Sequence, residues 1–312
     1  MPYYFFPATR AAGKQITELF DFVWPTAASL WNLRWQVAGF LKEVPQSSPK
    51  ELNDRFVFGS KIHGANLKRA CVETSWLSQQ HLLAGIILTN AFSVYEHWSD
   101  EILSSVGMGT ESGKVLQFDD EPSGRPGLPS TVHTICTVES QILKPAYYSI
   151  FRNNPKYSWS IMGNLLLCYR YFKELRNCQI HNCGIANEKA EAAYRNFAPV
   201  ATKASLGMKG ELIHEPLVKG RETLLHLRGV VGFCDILLRM MITVDAELTR
   251  SVQADAVLDA AFRNAKIRFT FSSNPQRRHM QTIKCCKAIG LPKPANASAI
   301  QRFLIDKRFV SI

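Results

Sequence analysis

No stretch of the sequence reaches about eighteen uncharged apolar residues, the length a helix needs to cross a bilayer. The opening MPYYFFPATRAAGK also lacks the charged-then-apolar order of a secretory signal. A soluble, cytoplasmic protein with no membrane partner is the expectation. Alternating apolar and polar residues, the mark of half-buried strands, are scarce, and no internal repeat is visible. The eight cysteines, at 71, 136, 168, 178, 183, 234, 285 and 286, lack the spacing of a disulfide framework, and several sit in apolar helical patterns as reduced core thiols do. Cys178, His181 and Cys183 give three zinc ligands where a structural site takes four, and His279 with Cys285 and Cys286 is irregularly spaced. No metal and no cofactor is therefore expected. A phosphate-cradling glycine loop, a Ser/His/Asp signature and a zincin pair are all missing, which excludes the commonest hydrolase designs.

What is present is a chain of 312 residues, 46% apolar, ample for a real core. Its charge of +11 is unevenly spread. Residues 251–312 hold eleven Lys and Arg (263, 266, 268, 277, 278, 284, 287, 293, 302, 307 and 308) against three acids (255, 259 and 306). That is a net of +8, which leaves +3 for the first 250. Such concentration favours a polyanionic partner, because neutralising phosphates releases counterions. Arg277, Arg278, Lys284 and Lys287 are the candidate RNA-binding residues.

Helical periodicity runs almost throughout, so the predicted fold is all-α. Helices are expected over 11–43, kinked or split at Pro25, over 49–57 with Ser47 or Ser48 as cap, and over 65–106 as one helix or two in line, with Leu82, Ile86, Ala91 and Val94 on its buried stripe. The glycine- and proline-rich segment 107–130, with its acidic DDE triplet, reads as an exposed loop. Further helices are expected over 131–143, 157–183, 187–196, 221–251, 254–266, 276–289 and 297–306. The last two, joined by GLPKPANAS, form a helix-turn-helix only if an unusually long linker is allowed. Aromatic residues, 11% of the chain, fall at helical spacing, as core residues do.

The segment YRYFKELRNCQIHNCGIAN, residues 169–187, carries the chemistry. At about 100° per residue, Ile161, Leu165, Cys168, Phe172 and Leu175 share one face, which is read as core. Arg176 sits at its edge, and Asn177 and His181, four apart, project together from the other side. Gly184 stands where a left-handed C-terminal cap is expected. A histidine in the last turn is suited to accept and return a proton.

Arg176-Asn177-Cys178-Gln179-Ile180-His181 resembles the Arg-X4–6-His motif of the HEPN superfamily, and Asn182 and Gly184 are similar to its "HN-G" continuation. Tyr95-Glu96-His97-Trp98 resembles the core helix that precedes the motif. The resemblance covers roughly residues 50–250, making 1–49 an N-terminal helical extension, 50–250 a HEPN-like helical bundle with the 107–130 loop, and 251–312 a basic C-terminal helical region. It implies a homodimer with two motifs facing each other across a cleft, and metal-independent RNA cleavage. His181 would be the acid and base, Arg176 would stabilise the phosphate charge, and Asn177 would orient the phosphate or the histidine. Glu96 and Asp100 are candidate supporting residues from the neighbouring helix. The implied settings are phage defence or a toxin with its antitoxin or other defence-system partner protein. The alternatives are a non-catalytic HEPN module that binds nucleotides, RNA or proteins, and a DNA-binding regulator acting through the basic C-terminal helices.

Overall fold

The structure, a computed structural model, describes residues 4–109, 112–121, 124–266 and 269–311. Thr110, Glu111, Pro122 and Ser123 of the expected loop, and Arg268 of the basic set, lie outside the described residues. The fold is all-α: among the described residues eleven α-helices accompany a single pair of two-residue parallel strands, β1 (Phe269–Thr270) and β2 (Val310–Ser311).

Three long helices build the centre: α3 (Trp76–Ser105), α6 (Met162–His181) and α8 (Leu227–Leu248). Aromatic side chains lock them together. Phe92 of α3 meets Tyr169 of α6 and Phe233 of α8, each at 5.2 Å between ring centres, and Phe172 stacks on Phe233 at 4.4 Å. Such contacts add directional preference to a large burial of apolar area. The buried face of α3 runs through Leu83, Ile87, Leu88, Ala91, Phe92, Tyr95 and Trp98. Of the expected stripe, Ala91 is buried and Val94 half-buried, but Leu82 and Ile86 are 65% and 50% exposed. This part of α3 is apolar nearly all round, so period alone left its orientation open.

The first helix, α1 (Pro7–Glu43), runs through Pro25 without a break. Proline denies the Asp21 carbonyl its helical donor, but Asp21 is exposed to water, and Val23 and Ala27, on either side of the proline, are both buried in the main core. Asp245 of α8 pins the start of α1, its carboxylate accepting from the Phe5 and Phe6 amides at 2.8 and 3.0 Å. Farther along, Arg34 donates to the Ala70 and Thr74 carbonyls and to Gln79. There α1 helps form a small second core with α2 (Pro49–Phe56), built on Val37, Leu52, Leu67 and Cys71. Ser48 and Glu51 cap α2 reciprocally.

The segment expected as an exposed loop packs in part. Ser112–Gln117 forms a short 3₁₀ turn that buries Leu116, whose carbonyl accepts from the Tyr95 hydroxyl at 2.8 Å. Two short helices, α4 (Leu128–Ile135) and α5 (Ser149–Arg152), lead into α6, and α7 (Glu188–Phe197) follows it. The C-terminal α9 (Ala254–Asn264), α10 (Pro275–Ala288) and α11 (Ala297–Asp306) join the same core through Phe262, Cys285, Cys286, Ile300 and Phe303. No helix of the described residues is long and apolar enough to cross a membrane.

Candidate functional site

Helix α6 carries the motif on a buried arc wider than expected, for Tyr169, Tyr171 and Glu174 are buried along with Leu165, Cys168, Phe172 and Leu175. Ile161 precedes the helix and is only half-buried. The left-handed turn after the helix begins one residue before Gly184: Cys183 takes the first left-handed position (φ 50°) and Gly184 the second (φ 80°), the Gly184 amide donating to the Cys178 carbonyl at 2.9 Å. Cys183 adopts a conformation that costs a non-glycine side chain some strain, in a turn that satisfies one of the last helical carbonyls.

Arg176 points inward to α3 instead of out from the core edge. Its side chain is 19% exposed, its guanidinium lies 5.4 Å from the centre of the Phe92 ring, and one terminal nitrogen is 3.9 Å from a Glu96 carboxylate oxygen. The other donates to the Asn177 side-chain oxygen at 3.3 Å, and Asn177 in turn donates to Glu174 at 3.5 Å. Arg176 Nε is buried with no partner among the described residues. This guanidinium is positioned but under-satisfied, with one long ion pair, one weak hydrogen bond and one idle donor. Glu96, on α3, thus stands beside Arg176. Asp100, one turn on, does not, because it accepts from the Gly113 amide at 3.0 Å and holds the 3₁₀ turn.

Three further neighbours complete the surroundings of Arg176. Phe92 is the floor under Arg176. Glu174, nearly fully buried, pairs with Arg170 at 2.7 Å as well as with Asn177. Lys173 reaches Gln117, and burial pushes its ammonium below the usual lysine value, with Glu96 pulling the other way. The spacing of Arg170, Lys173 and Arg176, three apart, is the signal that could have found this cationic row.

His181 ends α6, exposed, and among the described residues makes no hydrogen bond or ion pair. Arg176 and Asn177 are hydrogen-bonded to each other, and among the described residues neither is bonded to His181. Two residues before it in the chain, Gln179 joins three elements. Its amide donates to the Thr223 hydroxyl at 2.7 Å, its oxygen lies 3.3 Å from His81 Nε2, and His81 Nδ1 accepts from the Leu225 amide at 3.0 Å. Around this knot sit the exposed aliphatic residues Leu77, Leu82, Ile180, Ile185 and Leu224. Surface of this kind on one side of a molecule marks a contact face more often than a solvated one.

The C-terminal candidates divide. Arg277, Lys284 and Lys287 fall within about 80° of one another around α10 and are exposed, without ion pairs among the described residues. Arg278 turns away to hold the preceding loop, donating to the Ser272 and Ser273 carbonyls at 3.1 and 3.3 Å. Among the described residues no group of three or more His, Cys, Asp or Glu side chains is placed to hold a metal ion. Compared with known proteins, the chain matches no protein-family model, no curated protein and no solved structure.

Proposed function

We propose that the protein is a HEPN-type endoribonuclease that cleaves RNA without a metal, with a composite site formed between two copies of the chain. The observation that carries this reading is the contrast between Arg176, held and under-satisfied, and His181, exposed and unpartnered at the end of the same helix. Five residues separate them by about 140° around α6, so one copy cannot aim both at the same phosphate. A two-fold partner removes that obstacle by bringing the arginine of one copy to the histidine of the other. Ile180 and Ile185, exposed and on either side of His181 in the chain, offer such a partner an apolar contact.

In the proposed reaction His181 takes the proton of a ribose 2′-hydroxyl, whose oxygen attacks the adjacent phosphorus. Arg176 stabilises the charge that builds on the non-bridging oxygens, and Asn177 orients the phosphate. The bond from phosphorus to the 5′-oxygen breaks and that oxygen takes back the proton held by His181, giving a 2′,3′-cyclic phosphate and a free 5′-hydroxyl. The nucleophile belongs to the substrate and the base to the protein, so no metal-bound water is called for. A setting in defence or as a toxin, with an inhibitory partner, follows from the resemblance alone.

A non-catalytic RNA-binding module is favoured by one observation, the Arg176–Glu96 pair, which a purely structural arginine would also make. Incubating the purified protein with total RNA and tRNA in EDTA, beside His181→Ala, separates the two. Cyclic-phosphate products from the wild type alone support the nuclease, and intact RNA with both proteins supports the module.

A further inference from the structure

Aromatic residues at helical spacing are expected in the core, yet Trp24, Trp31 and Trp35 of α1 are 45%, 39% and 65% exposed. At about 100° per residue the three indoles lie within about 40° of one another, in line along the outer side of the helix. Phe20 stacks on Trp24 at 5.7 Å, Trp35 meets Trp31 edge-on at 5.8 Å, and Trp76 at the start of α3 closes on Trp31 at 5.1 Å. Between Trp24 and Trp31, about 10 Å apart along the axis, only Ala27 and Ala28 line the helix surface. The result is a groove of about 680 Å³ with indole walls and a methyl floor, closed on its far side by Trp76, Gln80 and the start of α8. Sites for small ligands usually span about 300–1,000 Å³.

The charges at the groove decide what fits. No carboxylate lines it. His226 is engaged with Glu215 at 2.7 Å, while Arg228 is exposed and makes no ion pair among the described residues. Helix α8 begins here with no side-chain cap among the described residues, and the start of an uncapped helix favours an anion. An apolar protein segment would use the indoles and leave Arg228 unanswered. A nucleotide strand uses both, with planar bases for the indoles and a phosphate for the guanidinium. Indoles in a row, continuing past the groove to Trp35, suit successive bases better than a single mononucleotide.

We propose that this tryptophan-lined groove binds single-stranded RNA as a docking channel separate from Arg176 and His181. The choice of RNA as the polymer rests on the function proposed above. The test measures binding of a fluorescein-labelled 12-nucleotide RNA to the full-length His181→Ala protein, which holds the strand without cutting it if that function is right. Replacing Trp31 by Leu keeps apolar bulk but removes the π face, and is expected to weaken binding about tenfold, while Trp31→Phe stays within about twofold. Trp35→Leu, at a more exposed position outside the groove wall, is expected to weaken binding less and covers the case in which Trp31→Leu fails to fold. Arg228→Gln is expected to lower the slope of log affinity against log salt by about 0.7. Unlabelled RNA should displace the probe, and displacement by micromolar AMP would overturn the assignment to a strand. Unchanged affinity in the folded leucine variants and Arg228→Gln overturns the groove even if the wild type cleaves RNA. Tryptophan-dependent binding by a wild type that never cleaves removes the nuclease reading and leaves the groove standing.

Discussion

Helices α6 and α10 are both rich in positive charge, yet they hold it in opposite ways. On α6, Arg170 is paired with buried Glu174, Lys173 reaches Gln117, and Arg176 lies between Phe92 and Glu96. On α10, Arg277, Lys284 and Lys287 stand in water with no ion pair among the described residues. Charge fixed in a packed wall acts at one point, because its direction is set before any ligand arrives. Charge on long exposed side chains attracts any polyanion and is screened by salt within about 8–10 Å. Counting lysines and arginines treats the two alike, and the structure separates them.

The sharpest way to break that comparison is at the motif. His181→Ala is expected to lower the rate of cyclic-phosphate formation by about 10²- to 10⁴-fold while RNA affinity is kept. Arg176→Ala is expected to lower the rate in the same way. If the site is composite, mixing the two inactive variants restores about a quarter of wild-type activity, since half of the dimers are mixed and each has one intact site. A mixture no more active than its components, or cleavage lost on chelation, would sink the shared metal-free site.

A second charge held inside the bundle makes a pH-dependent prediction. Burial pushes the Asp245 carboxyl up to about 6 from 3.8, against the pull of the Phe5 and Phe6 amides, Thr9 and Arg10. Between these values the folded chain keeps a proton that the unfolded chain has lost, so stability falls as pH rises through the window. The loss approaches about 3 kcal/mol and levels off above pH 6. Thermal melts from pH 4 to 7 should show the wild type losing stability relative to Asp245→Asn over that range. A constant gap between the two would mean that Asp245 titrates normally.

Smaller effects are expected on α10. Neutralising Arg277, Lys284 and Lys287 together should reduce the salt slope of RNA binding by about 2, from about 0.7 for each phosphate contact on a single strand. An unchanged slope would assign that face to solvent. Arg278→Ala should leave the slope alone and cost about 1 kcal/mol in a denaturant melt, because its hydrogen bonds serve the Ser272–Ser273 backbone. A change of slope in Arg278→Ala with no loss of stability would erase the distinction drawn within α10.

Helix ends were legible at some chemical caps and missed at others: Ser75, which opens α3 by accepting from the Ser78 amide, lies inside the 65–106 segment expected as one helix or two in line. Ser48, one of the two expected caps, opens α2 with Glu51, and Asn296 opens α11, accepting from the Ser298 amide at 3.0 Å. The expected bounds 297–306 are those of the helix. Orientation was less legible. The apolar residues of α3 surround the helix, so Leu82 and Ile86 read as core, and only the packing of Phe92 and Tyr95 against α6 turns them outward. Arg176 could be located but not aimed, because its direction depends on Phe92 and Glu96, some eighty residues earlier in the chain. The tryptophan row was invisible for a related reason: periodicity shows that residues share a face and leaves open whether that face is covered.

Helix α1 belongs to two cores at once. Ala12, Ile16, Val23 and Ala27 are anchored in the large one, and Val37, with Leu33, Phe40 and Leu41 against it, in the small one. Cooperative opening follows buried apolar contacts and not helix boundaries. The amides of residues 33–43 should therefore exchange with deuterium together with those of α2, well before the amides of residues 9–24, within what is a single helix. The seam between the fast and slow segments falls between Ala27 and Leu33, where Trp31 stands, so whatever the tryptophan groove holds would tie together two units that otherwise open independently.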